Sequence, residues 1–200
     1  MNYYKKMLEI IDSLNGTKPR LLLHSCCAPC SSSVIDTLKD YFDITILYYN
    51  PNIEPKEEYQ VRKSEQIRFI KELDCNIKIL DVDYENDRFR EICKGLEQEK
   101  EGGARCSRCY KLRLEKTAKL AKENNFEYFC TTLSVSPYKH SETLNKIGES
   151  LSELYQVKYL YSDFKKHDGY KKSIELAKKY NLYRQDYCGC SFSKKKWCYE

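Results

Sequence analysis

The chain has 200 residues, 41% of them hydrophobic, enough for a core of ordinary size and too many for an intrinsically disordered segment. Lys and Arg number 35 against 30 acids, a net charge of +5 that suits a polyanionic partner without requiring one. No stretch approaches the ~20 apolar residues that span a bilayer, and the N-terminal MNYYKKMLEIIDSL carries acids and no cleavage pattern, so a cytoplasmic, uncleaved protein with no membrane partner is expected. The outlying number is 11 cysteines. Long helical patterns and the lack of a secretory signal argue against an extracellular disulfide framework, which leaves metal ligation or redox chemistry.

Periodicity alternates helices and strands along the chain. Residues 2–14 read as an amphipathic helix with Tyr4, Leu8 and Ile11 on one face, stopped by Gly16-Thr17-Lys18-Pro19. Arg20 to His24 is a short apolar strand that runs into a cysteine cluster. Ser31 to Lys39 reads as a helix with Val34, Ile35 and Leu38 inward. Ile44 to Tyr49 is a second strand, closed by Asn50-Pro51-Asn52. A helix over Glu57 to Leu73 with Val61, Ile67 and Ile70 at apolar positions, a strand over Ile77 to Val82 and a helix over Asp87 to Lys94 follow. Gly102-Gly103 breaks the chain, and the next helix is expected over Lys111 to Asn124, with Leu114, Ala118 and Ala121 on one stripe. Tyr128 to Thr132, Ser141 to Tyr155, Lys158 to Tyr161 and Ser173 to Tyr180 complete the series as strand, helix, strand, helix.

This alternation implies parallel βαβ units and a sheet covered on both faces, with a ligand crevice beyond the carboxyl ends of the strands. Three such ends carry polar or reactive residues: His24-Ser25-Cys26-Cys27, Asn50-Pro51-Asn52 and Thr131 to Tyr138. They are expected to converge on one site. With no repeat, low-complexity segment or linker, residues 1–200 read as a single catalytic domain, residues 1–19 forming a helical N-terminal extension.

The cysteines fall into three groups. Cys26-Cys27-Ala28-Pro29-Cys30 occupies a strand-to-helix turn, where free N–H groups and the helix dipole favour thiolates. Buried cysteine is a common small hydrophobe, but three thiols in five residues count against that plainer reading. Cys106-Ser107-Arg108-Cys109 is a C-x-x-C pair ahead of a helix, a spacing that metal sites, redox sites and chance all produce. Its distance from the first group is too great for a zinc ribbon, and together the groups offer the four thiolates of an iron–sulfur cluster. Tyr187-Cys188-Gly189-Cys190 is a C-x-C pair that either closes a strained, easily reduced disulfide or chelates a metal. Cys75, Cys93 and Cys130 lie on apolar stretches and read as packing, and Cys198 stands alone.

HSCCAPCS, YYNPNIEPKEEYQVR, RCSRCYKLRL, TTLSVSPYK and YCGCSFS, in this order and spacing, closely resemble the epoxyqueuosine reductase family QueH, from about Leu21 to Ser193. The resemblance implies a three-layer α/β/α sandwich with a mostly parallel sheet, Rossmann-like and related to the HUP and PP-loop folds. It implies an oxidoreductase that reduces the epoxide of epoxyqueuosine to queuosine at the wobble position of tRNA. By the matching motifs, Cys26, Cys27, Cys106 and Cys109 would hold a 4Fe-4S cluster, and Cys188 and Cys190 would be a redox-active pair able to form a disulfide bond. An additional adjacent iron goes with the family, with Cys30 its candidate ligand by proximity alone.

Removing an epoxide oxygen as water takes two electrons, two protons and stabilisation of a developing alkoxide. Proton donors must reach that oxygen. His24, Asp186 and Tyr187 stand nearest the thiols in sequence, although a satisfied core histidine is an equally good account of His24. A wobble base sits in a loop, where it can be splayed onto aromatic rings with Lys and Arg on the phosphates. Tyr49, Arg62, Arg108, Tyr138, Lys139, Lys194 and Lys195 are the candidate tRNA contacts, with Arg105 and Arg113 also flanking the second cysteine pair. An unidentified low-potential electron donor is the other expected partner. Two other readings remain open: a thioredoxin-like thiol-disulfide oxidoreductase built on Cys27 and Cys30, and a zinc-binding RNA module. A PP-loop ATPase is disfavoured, because cysteines stand where its phosphate loop would follow the first strand.

Overall fold

The structure, a computed structural model, describes residues 1–194. It confirms the alternation. In chain order the elements are α1 (Tyr3–Ser13), β1 (Arg20–His24), α2 (Ala28–Leu38), β2 (Asp43–Leu47), α3 (Lys56–Leu73), β3 (Lys78–Leu80) and α4 (Asn86–Cys93). They continue as α5 (Ala104–Glu123), β4 (Tyr128–Thr131), a 3-10 turn (Thr132–Val135), α6 (Ser141–Tyr155), β5 (Lys158–Tyr159), α7 (Gly169–Lys179) and the short α8 (Ser191–Lys194).

Five parallel strands form one sheet in the order β3-β2-β1-β4-β5, with Leu22 in register with Thr45 on one side and Phe129 on the other. Successive side chains of a strand point to opposite faces, and β1 obeys this. Leu21 and Leu23 join one core with α1, α2, α3 and α7, while Leu22 joins the other with α4, α5 and α6. The sandwich is therefore three-layered. Because β1 lies between β2 and β4, the direction of winding reverses at the β1/β4 boundary, and the carboxyl ends there open a crevice.

Several boundaries differ from the sequence reading for physical reasons. The helix expected from Lys111 begins at Ala104, so Cys106 and Cys109 lie within its first turns rather than ahead of it; Gly103 is the N-cap and Gly102 makes the turn at φ +87°. In α1 the buried positions are Met7 and Ile11, while Leu8 is exposed. Val61 of α3 is also exposed, and the buried face carries Tyr59, Arg62, Gln66, Phe69 and Ile70. A polar side chain can occupy an inward helical position when its bonds are met there, and apolar periodicity does not register it. Cys93 and Cys130 are buried as expected, whereas Cys75 is exposed. No helix among the described residues is long and apolar enough to cross a membrane.

Candidate functional site

Beyond the ends of β1 and β4 lies a cavity of about 410 Å³. Its walls come from the β1–α2 turn (Cys26, Pro29, Cys30), the segment after β4 (Leu133 to Lys139) and the C-terminal run Arg184 to Cys188. Two of the three predicted strand ends thus meet in it. The third, Asn50-Pro51-Asn52, buttresses instead: Asn50 Nδ2 donates to the Ser25 carbonyl at 2.8 Å, and Asn52 packs beside Gly189.

Cys27 is the extended residue that caps α2, Pro29 sits in the first turn and Cys30 follows one position on. A helix start leaves N–H groups without intrahelical partners, and here it gathers the three sulfurs of Cys26, Cys27 and Cys30 within 4.8 Å of one another. Cys26 Sγ also receives a hydrogen bond from the Thr132 hydroxyl at 3.4 Å, and the Cys26 N–H donates to that oxygen at 3.2 Å, while Gln185 Nε2 reaches Cys27 Sγ at 3.1 Å. Hydrogen bonds from Cys27 and Cys30 hold the Cys26 thiol well below the usual range. The same bonds push Cys27 up to about 12 and Cys30 well up. Three sulfurs this close, with the ionised form favoured at Cys26, are a soft, preformed metal-donor set.

Cys106 and Cys109 are not members of that tight group. Cys106 accepts the Gly102 N–H at 3.2 Å, and burial pushes the Cys109 thiol up to about 12. The C-G-C segment divides its two sulfurs. Cys188 lines the cavity and receives a hydrogen bond from Lys139 Nζ at 2.9 Å, whereas Cys190 is buried in the core shared by α4, α5 and α6. Gly189, at φ +124°, is where only glycine fits: a Cβ would stand 2.9 Å from Ile53 and 3.3 Å from Arg62 Nη1. All ten described cysteines are free thiols, so the expected disulfide bond between Cys188 and Cys190 is absent. Each sulfur has a different partner, Lys139 for Cys188 and Ser193 for Cys190.

The electrostatics of the cavity are cationic at depth. Buried Arg62, Arg113 and Lys139 line it, while exposed Arg184 and the exposed acids Glu101 and Asp186 border it further out. Arg113 is 2% exposed and has no carboxylate partner among the described residues; its hydrogen bonds, to Asn50 Oδ1 and the Cys109 carbonyl, are both 3.4 Å long. Burial would lower its pKa, yet nearby Cys109, Cys188 and Cys26 raise it instead. A buried, weakly bonded guanidinium beside thiols is costly unless an anion joins it. The donor chemistry therefore fits a negatively charged, thiolate-bound metal group.

The remaining predicted residues separate. His24 is fully buried: its Nε2 donates to the Tyr49 carbonyl at 3.0 Å, leaving Nδ1 to accept from the Thr131 hydroxyl at 2.9 Å. Burial, with Arg113 nearby, lowers its pKa to about 4, so it is a neutral strut joining β1 to β4 rather than a proton donor. Tyr187 lines the cavity, but its hydroxyl donates to the Glu54 carbonyl at 2.6 Å, which removes it from proton donation. Asp186 does line the cavity. Tyr49 is excluded as a stacking residue, being buried with its hydroxyl on Glu85 at 2.6 Å. Arg62 pairs with Glu58 at 2.7 Å and donates to the carbonyls of Tyr187 and Cys188, so it clamps the C-G-C loop instead of waiting for a phosphate. Arg105 is buried and caps the carbonyls of Leu96, Glu97 and Glu99, and Arg108 reaches the Ile92 carbonyl away from the cavity. Tyr138, 74% exposed, stands at the cavity mouth. Lys194 is exposed above the Tyr187 ring at 5.3 Å, and Lys195 lies outside the described residues. Sequence reasoning passed over Glu101, Arg184 and Gln185; for the last two, adjacency to Asp186 was the available signal.

Residues 21–196 match the family model described as epoxyqueuosine reductase QueH. A Staphylococcus epidermidis protein of that name is 42% identical over 98% of this chain and 86% of its own. An Acinetobacter baylyi protein of the same name is 42% identical over 87% of this chain and 80% of its own. Two solved structures share the fold. One is the U34-tRNA thiolase NcsA from Methanococcus maripaludis with its 4Fe-4S cluster (TM-score 0.54, 15% identity, 96% of this chain and 68% of that one). The other is a predicted subunit of tRNA methyltransferase from Methanocaldococcus jannaschii (TM-score 0.51, 16% identity, 81% and 74%).

Proposed function

The chain belongs to the epoxyqueuosine reductase QueH family, and from that premise we propose that the cavity beyond β1 and β4 is where the epoxide of epoxyqueuosine in tRNA is reduced to the alkene of queuosine. The enzyme is a tRNA-modifying oxidoreductase, and the thioredoxin-like and zinc-module readings give way to that assignment. The observation that carries the placement is the meeting of Cys26, Cys30 and Cys188 with Arg113 and Lys139 around one crevice. Residues 1–200 act as one catalytic domain in this reading.

Opening the epoxide and expelling its oxygen as water consumes two electrons and two protons. Conversion of the Cys188 and Cys190 thiols to a disulfide releases two of each, so the reaction balances. An external low-potential donor then returns the disulfide to the dithiol. Cys26, Cys27, Cys106 and Cys109 are the residues that would hold the 4Fe-4S cluster, with Cys30 for an adjacent iron. Bound there, these groups supply single low-potential electrons and a Lewis-acid site. The chain's own contribution is positional and electrostatic. Arg113, desolvated and without a carboxylate partner among the described residues, lends positive potential where negative charge develops. Asp186 lines the cavity with a carboxyl group able to relay a proton.

Substrate recognition falls to the rim. Tyr138 offers an exposed ring on which a splayed anticodon base can stack, and Arg184 and Lys194 lie where phosphates would pass. The test is direct: iron-reconstituted protein is incubated anaerobically with epoxyqueuosine-containing tRNA and a low-potential reductant, and the nucleosides are analysed by mass. Queuosine is expected. Its absence with a fully loaded wild-type protein refutes the reading.

A further inference from the structure

Lys139 was expected at the tRNA interface, yet it is only 8% exposed and its ammonium is turned inward. The turn after the 3-10 segment fixes its backbone, with Lys139 N donating to the Ser136 carbonyl at 3.2 Å. Its Nζ lies 2.9 Å from Cys188 Sγ and 3.9 Å from Glu101, beside the Tyr110 ring. Burial alone would lower the Lys139 pKa, but Cys188 and Tyr110 more than offset it and the value is raised. A desolvated ammonium needs an acceptor in contact, and among the described residues its close one is a sulfur.

We propose that Lys139 is the positioning residue of the C-G-C pair: its ammonium holds Cys188 as the cavity-facing sulfur and poises the pair toward the dithiol. This rests on Cys188 and Cys190 being the redox pair. A thiol pair whose reduced form is stabilised becomes harder to oxidise, so the contact keeps the pair in the state the reaction consumes. It also divides the labour: Cys188 faces the substrate, while Cys190, bonded to Ser193 in the core, closes the disulfide behind it. Other charged or titratable groups surround Cys188. They are Arg113, Cys109 and Tyr110 from α5, Glu101 ahead of α5, Arg62 from α3, and Cys190 on its own segment. Only Lys139 donates a side-chain hydrogen bond to its sulfur among the described residues.

The experiment equilibrates the iron-loaded protein anaerobically in graded reduced and oxidised glutathione and quantifies the Cys188–Cys190 disulfide by peptide mass analysis after trapping. Wild type is compared with Lys139→Met and Lys139→Arg. Loss of a charge-assisted hydrogen bond predicts that Lys139→Met favours the disulfide by about tenfold or more, roughly 30 mV toward more reducing potentials. Lys139→Arg should return most of the difference, which a merely structural role would not require. Equal constants in wild type and Lys139→Met overturn the assignment while leaving the redox pair intact, as does a shift that Lys139→Arg fails to reverse. If no Cys188–Cys190 disulfide forms in wild type at any poise, the redox-pair reading falls and the role of Lys139 with it.

Discussion

The two cysteine groups that face the cavity hold their sulfurs by opposite means. At the start of α2, Cys26 is held by its neighbours Cys27 and Cys30 and by Thr132. No cation lies within hydrogen-bond distance of those three sulfurs among the described residues. At the other wall Cys188 is held by one lysine, while its companion Cys190 is withdrawn into the core. A cluster of thiols within reach of one another suits a metal, which replaces the protons. A single sulfur on a fixed cation suits cycling between thiol and disulfide, because the cation biases one state without occupying the coordination sphere. On the proposed function, the cavity has a metal side and a redox side.

The contrast breaks most sharply with Cys26→Ala, which should remove the tightest-held ligand and abolish both iron retention and turnover. Iron and sulfide analysis after anaerobic desalting, together with the nucleoside assay, reads both; retained iron with full activity defeats the metal side. Cys188→Ala should be equally inactive yet keep its iron and visible absorbance. Loss of iron in that variant would merge the two sides into one. Arg113→Met tests the charge of the bound group by sign. Without metal, removing an unpaired buried cation is expected to stabilise the chain by ~1–4 kcal/mol, whereas in the loaded protein it should destabilise and speed iron loss. Denaturant melts of both forms decide, and the same sign in each would show that Arg113 does not face an anion. Tyr138→Ala should weaken tRNA binding by ~1–3 kcal/mol through lost stacking, raising KM with little change in kcat. The smallest effect belongs to Tyr187→Phe: the hydroxyl serves the Glu54 carbonyl, so stability falls by ~1 kcal/mol and kcat stays within a few fold. A hundredfold loss of kcat would return Tyr187 to the role of proton donor.

Much of this was readable from residue order. Apolar runs such as Leu21-Leu22-Leu23 mark a strand buried on both faces whatever surrounds it, and clustered thiols after it declare soft-ligand or redox chemistry. The start of α5 escaped because ARCSRCYKLRL has no N-terminal capping side chain and its first apolar positions are cysteines, so the break at Gly102-Gly103 looked longer than it is. Individual roles of polar residues were least legible. His24, Tyr187, Tyr49 and Arg62 have the right chemistry and the right neighbours in sequence, and each is spent on a contact with a distant segment.

The sequence by itself determined the parallel α/β alternation, the family and the grouping of the cysteines, since these follow from local periodicity and from motifs contained in a few consecutive residues. Only the tertiary structure decided that Lys139 meets Cys188 across 49 positions and that Arg113 is buried without a carboxylate partner among the described residues. Which polar groups are free for chemistry depends on desolvation and on hydrogen bonds between segments far apart in the chain, and neither is a property of a residue's neighbours in sequence.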